Sequence, residues 1–147
     1  MRPARTEEAE LLYGIDRQTS ANPIASARYQ RACDVASDMA ERALVVVEGR
    51  DVAGYVLLSR ALDEVTVLNI AVTPVCQGRG LGRLLLSAAL RVAGEDGARR
   101  CLLEVRASNR AAIALYRRCG FTEDGVRKGY YPGESRREDA LLMSKEL

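Results

Sequence analysis

Between Val65 and Gly94 the chain passes from a β-branched run, through a cluster of glycines, into a one-sided helix, and few folds accommodate that succession. Val65-Thr66-Val67-Leu68-Asn69-Ile70-Ala71-Val72 reads as a strand closed by Thr73-Pro74. Gln77-Gly78-Arg79-Gly80-Leu81-Gly82-Arg83 is a glycine-rich turn. Leu81, Leu84, Leu85, Ala88, Ala89 and Val92 then recur at the spacing of a helix packed on one side. The first amides of such a helix have no intrahelical partners, and its dipole favours negative charge there. Gly78, Gly80 and Gly82 would let a diphosphate approach the backbone, with Arg79 and Arg83 adding positive charge at the rim. No Gly-Lys-Ser/Thr follows, so this is not a Walker-type loop, and the alternate glycines depart from the dinucleotide fingerprint. On this segment alone an anion site and a plain tight turn both fit.

The neighbouring segments extend a mixed sheet on both sides. Upstream, Leu44 to Glu48 and Val52 to Ser59 flank the turn signal Gly49-Arg50-Asp51 and read as an antiparallel hairpin. Downstream, Cys101 to Arg106 reads as a short buried strand. Ser108-Asn109 caps a helix through Tyr116 to Cys119 that stops at Gly120. Val126 to Lys128 and Asp139 to Ser144 read as closing strands, with Tyr130-Tyr131-Pro132-Gly133 in the loop between them. Before residue 44 the pattern is sparser. Ala9, Leu12, Tyr13 and Ile15 suit one helix, Asn22-Pro23 breaks it, and a second helix is expected from Ser26 towards Ala36. A strand before Thr6 could only be very short.

Absent residues narrow the chemistry as much as present ones. The 147 residues contain no histidine, which excludes a Ser-His-Asp triad, a Cys-His pair and a histidine metal site. Any general acid or base must be Glu, Asp, Lys, Tyr or Cys. Cys33, Cys76, Cys101 and Cys119 form no Cys-x-x-Cys pair, so neither a zinc site nor a redox dithiol is expected, and the thiols read as reduced. A net charge of +2 with interleaved signs gives no nucleic-acid footprint. No apolar run approaches a membrane span, and no signal-peptide core opens the chain. The expectation is a single domain over residues 1–147, cytoplasmic, with neither nucleic acid nor membrane as partner.

Gln77-Gly78-Arg79-Gly80-Leu81-Gly82 resembles the Q/R-x-x-G-x-G/A signature of the GNAT superfamily of N-acetyltransferases, in which this turn holds the diphosphate of coenzyme A. Several further segments are similar to the ribosomal-protein-alanine N-acetyltransferases of RimI type. They are Leu68-Asn69-Ile70-Ala71-Val72, Leu103 to Asn109, Ala112-Ile113-Ala114-Leu115-Tyr116, Cys119-Gly120-Phe121, Tyr130-Tyr131-Pro132 and Arg137-Glu138-Asp139-Ala140. The resemblance implies an α/β (α+β) GNAT fold: a mixed, mostly antiparallel sheet, helices on both faces, and a splayed strand pair that binds acetyl-CoA. It also implies acetyl transfer, without a metal, to a protein N-terminus such as the N-terminal alanine of a ribosomal protein, by a monomer or weak dimer. A lysine side chain, a polyamine, or a non-catalytic acyl-CoA-binding module are the alternatives. The N-terminal third departs from the family pattern: Ile24 follows Asn22-Pro23 where an aromatic residue is common.

With that resemblance, individual residues acquire candidate roles. Glu104 lies within a strand that otherwise reads Leu102, Leu103 and Val105, a costly place for a carboxylate without a partner or purpose. The resemblance puts the general base there; a structural pair with an arginine such as Arg106 is the alternative. An α-amine with a pKa of ~8 asks less of such a base than a lysine at ~10.4. Tyr116 is the candidate acid for the leaving thiolate, or else a core aromatic. Asn109, two helical turns earlier on the same face, would grip the pantetheine arm or simply cap the helix. Ile70, Ala71 and Val72 would bind the cofactor through their backbone, as an added strand does, and Gln77 to Arg83 would hold its diphosphate. Tyr130 and Tyr131 would hydrogen-bond an acceptor peptide, or pack within their loop.

Overall fold

The computed structural model describes residues 1–34 and 40–147. The elements run β1 (Arg2–Pro3), α1 (Ala9–Thr19), α2 (Ser26–Cys33), β2 (Glu41–Glu48), β3 (Asp51–Ala61), β4 (Glu64–Val72), α3 (Leu81–Glu95), β5 (Arg100–Arg106), α4 (Arg110–Arg118), β6 (Thr122–Tyr131) and β7 (Glu138–Glu146). The seven strands form one sheet in the order β1-β2-β3-β4-β5-β7-β6. Among the described residues only the central β4–β5 pair is parallel, and every other pair is antiparallel. The expected mixed sheet is therefore present.

Each face of the sheet carries its own core, because side chains alternate along the strands. On one face Val56, Val65, Val67, Leu103 and Val105 meet Leu85, Leu86 and Ala89 of α3 and Ile113 and Tyr116 of α4. On the other, Val45, Tyr55, Leu57 and Ala71 meet Leu12 and Ile15 of α1 and Tyr29 of α2. The glycine turn at residues 77–80 places α3 directly after β4, so the helix starts at the sheet's centre.

Of three sequence expectations, the very short first strand is met, one lies outside the described residues, and one changes. β1 is a two-residue strand, kept in place by Arg2, whose guanidinium donates to both carboxylate oxygens of Glu8 (2.9 and 2.6 Å). The expected end of α2 near Ala36 lies outside the described residues. The last hairpin is longer than its sequence suggests: β6 runs through Tyr131, so Tyr130 and Tyr131 lie on a strand and not in a loop. Between Arg127 and Tyr131 the strand bulges, with Gly129 at φ +56°. There side chains replace the ladder, since the Gly129 amide donates to Asp139 Oδ1 (2.9 Å) and Arg137 donates to the Gly129 and Tyr130 carbonyls.

Candidate active site

The parallel pairing of β4 with β5 stops half-way. Glu64 faces Arg100 and Val67 faces Leu103, after which no pairs form although β4 continues to Val72 and β5 to Arg106. A bulge explains the parting. Opposite β3, Leu57 pairs with Asn69 and Leu58 with Val67, which leaves Leu68 as an extra residue that bends β4 away. The bend is braced from beneath. The Asn69 amide donates to Asp16 Oδ1 and to the Tyr55 hydroxyl (2.9 Å each). Asp16, fully buried, also accepts from the Tyr29 hydroxyl and the Ile24 amide (2.7 Å each). Burial pushes the Tyr29 and Tyr55 phenols well above their ordinary range, so both remain neutral donors.

Beyond the bulge, β4 has an open edge. The Thr73 amide donates to Ala53 across β3 (2.9 Å), and alternation of the ladder then turns the backbone groups of Val72 and Ile70 away from β3, towards the gap. Ala71 lies between them in the ladder register with Tyr55, so its own backbone faces β3. The Gln77 side chain donates to the Val72 carbonyl (3.0 Å) and folds the glycine turn back onto the strand end.

A cavity of about 520 Å³ fills the gap. Ile70, Ala71, Val72, Gln77, Gly78, Gly80, Leu81, Gly82, Glu104, Asn109, Tyr116 and Tyr131 all line it. At its far end Gly80, at φ +79°, precedes α3, and no side chain caps that helix. The first amides of a 15-residue helix are thus left for a ligand. Arg79 and Arg83 stand outside this lining, and Arg79 is held by Glu48 at 2.7 Å. Asn109 caps α4 by accepting from the Ala112 amide (3.2 Å). Tyr116 is 6% exposed and packs on Phe121; burial pushes its phenol up, so it is a proton-bearing group at neutral pH.

Across the gap lies a second cavity of about 650 Å³, lined by Arg28, Arg100, Glu104, Asp124, Arg127, Tyr130 and Tyr131 among others. Glu104 and Tyr131 line both cavities, so the carboxylate stands where the two meet. Its ion-pair partner is Arg127 of β6, at 3.1 Å, and not Arg106. Arg106 pairs instead with Glu138 (2.9 Å), which also accepts from the Ser108 amide (2.7 Å) and so fixes the corner leading into α4. The Arg106 guanidinium lies over the Tyr131 ring and that of Arg127 over the Tyr130 ring, 4.5 and 4.8 Å from their centroids. The two tyrosines contact edge to face. Burial and the nearby Glu104 charge raise the Tyr131 phenol.

Sequence reasoning did not find Arg127, Asp16 or Tyr55. For Asp16 a signal existed, because it lies four residues after Leu12 on the buried stripe of α1. For Arg127 there was none: the β5-β7-β6 order puts it across an intervening strand from Glu104. Among the described residues no group of His, Cys, Asp and Glu could hold a metal ion, and no helix is long and apolar enough to cross a membrane.

Comparison with known proteins agrees with this geometry. The sequence model of the Acetyltransferase (GNAT) family matches residues 7–121. The ribosomal protein bS18-alanine N-acetyltransferase of Escherichia coli K12 is 38% identical over 141 residues, covering 95% of this chain and 91% of that protein. The Haemophilus influenzae enzyme of the same name is 41% identical over 102 residues, 69% of each chain. The crystal structure of the Escherichia coli ribosomal-protein-S18-alanine N-acetyltransferase superposes with a TM-score of 0.88 at 33% identity, covering 98% of this chain and 90% of that one. With the splayed strands, the uncapped helix and these relatives in agreement, the chain belongs to the GNAT family of acetyltransferases, enzymes that use acetyl-CoA.

Proposed function

We propose that this acetyltransferase moves the acetyl group of acetyl-CoA directly onto the N-terminal α-amine of a protein, and that the acceptor is the N-terminal alanine of ribosomal protein bS18. The acceptor is taken from the names of the relatives above, which the chain matches over nearly its whole length. The observation that carries the reaction is the meeting of two cavities at one carboxylate, Glu104. Such a site lets a thioester enter on one side and an amine on the other.

Acetyl-CoA supplies an activated acyl group and a good leaving thiolate; the chain supplies everything else. Ile70 and Val72 hold the pantetheine amides along the open edge of β4, and the first amides of α3 hold the diphosphate. A backbone N–H near Val72 donates to the oxygen that gains charge in the transition state. Glu104 takes a proton from the acceptor ammonium, directly or through a water. Tyr116, kept protonated by its burial, is the proton donor to the sulfur as the carbon–sulfur bond breaks. Arg79, ion-paired with Glu48 at 2.7 Å, and Arg83 lend positive charge at the rim of this diphosphate seat. Tyr130 and Tyr131 line the acceptor side and offer hydroxyls to a peptide backbone. The four free thiols suit a reducing, cytoplasmic compartment.

The test is competition between a peptide beginning with the bS18 alanine, the same peptide blocked at its N-terminus and carrying an internal lysine, and spermidine. Mass spectrometry then reports which nitrogen gains the acetyl group. Acetylation of the free α-amine alone is expected. Equal turnover of the blocked peptide at lysine would overturn the choice of acceptor while leaving the acetyltransferase intact.

A further inference from the structure

Three arginines line the second cavity, and their partners differ. Arg28 is paired with Glu41 (3.1 Å) and Arg100 with Asp124 (3.4 Å), carboxylates that the reaction does not use. Arg127 is paired with Glu104, the proton acceptor itself, at 3.1 Å. It is half exposed, on an edge strand, with its guanidinium laid over the Tyr130 ring. Arg127 therefore stands beside Glu104 on the wall of this cavity.

We propose that Arg127 selects an α-amine over other amines, by donating to the carbonyl oxygen of the acceptor's first residue while Glu104 accepts from its nitrogen. This rests on the reading of the acceptor as a protein N-terminus. The argument is one of matched spacing. Glu104 Oε1 and Arg127 Nη2 present an acceptor and a donor 3.1 Å apart. In any N-terminal residue the nitrogen and its own carbonyl oxygen are three bonds apart, at a separation of about 3 Å. The two pairs are complementary, and both bonds involve a charged group. A lysine ε-amine lies four methylenes from its backbone, so no carbonyl stands beside it. A polyamine presents a second ammonium, which the guanidinium repels. Stacking on Tyr130 keeps the guanidinium in place while it changes partner.

The experiment compares wild type with Arg127→Ala on three acceptors: the alanine-starting peptide, its isostere in which an alkene replaces the first peptide group, and the blocked lysine peptide. A hydrogen bond to a charged group sets the expected scale. Arg127→Ala should lower kcat/KM for the natural peptide about tenfold to a hundredfold more than for the isostere, and raise the share of lysine acetylation. Its melting temperature and its KM for acetyl-CoA should match wild type. An equal loss on peptide and isostere, or no loss on the peptide, would overturn the role of Arg127 alone. A wild type that ignores the free α-amine and acetylates the lysine peptide would overturn the acceptor reading together with it.

Discussion

The two sides of the gap between β4 and β5 are built from different materials. The side proposed for the cofactor is mostly backbone: the outward groups of Ile70 and Val72, a glycine turn, and the uncapped amides of α3. The side proposed for the acceptor is mostly side chains: Glu104 of β5 with Arg127, Tyr130 and Tyr131 of β6, joined by an ion pair and stacked rings. Backbone recognition needs a particular chain path, so it leaves glycines and a strand-to-helix order in contiguous sequence. Side-chain recognition needs only that distant positions converge, and it can vary while the fold stays the same. One family can therefore keep its acyl donor and change its acceptor.

The sharpest way to break this division is at Glu104, which touches both sides. Glu104→Gln should lower turnover by about 10²- to 10⁴-fold, the usual range for one acid–base group, while acetyl-CoA binding is unchanged. Equal losses in turnover and acetyl-CoA affinity would show that the two sides are not separable. Next in size is Asp16, which braces the bulge from which the gap opens. Asp16→Ala removes the acceptor of the Ile24 amide and one partner each from the Tyr29 hydroxyl and the Asn69 side chain, which keep their bonds to Tyr55. A destabilisation of about 3 kcal/mol is expected, or about 10 °C in melting temperature by calorimetry. Gly80→Val acts on the cofactor side alone. A β-branched residue at φ +79° is strained by about 1–2 kcal/mol, so acetyl-CoA affinity should fall about tenfold with the peptide KM unchanged.

The smallest effect is acid sensitivity on the α1 side. The hydrogen bond from Arg2 holds the Glu8 carboxyl at about 2, below its ordinary 4.5. A lowered folded-state value stabilises the protein above about pH 4.5, and that contribution disappears as pH falls towards 2. Melting temperatures measured from pH 6 to pH 2.5 should decline less steeply in Glu8→Gln than in wild type.

The same contrast decides what could be read from sequence. The strand ending at Val72, the turn at 77–82 and the helix that follows were legible because local periodicity and glycine chemistry set them. Glu104 stood out as a carboxylate within an apolar strand, but its partner did not, since the ion pair spans β7 and pairing order is not written locally. Gly129 interrupts the alternation, so the local sequence suggests a loop at Tyr130 and Tyr131. Asp139 and Arg137 supply the bonds the bulge lacks and keep the strand going. The splay itself was expected only through the family. Its cause, one unpaired residue at Leu68 braced by Asn69 and Asp16, depends on contacts 53 residues apart.

Residue-resolved amide hydrogen exchange, with and without acetyl-CoA, tests the division at its source. The amides of Ile70 and Val72 and those of Leu81 and Gly82 should slow together when acetyl-CoA is added, while those of Arg127 and Tyr131 keep their rates. Unchanged exchange along the β4 edge, or protection confined to β6, would mean that acetyl-CoA lies elsewhere and that the gap between the strands is not its seat.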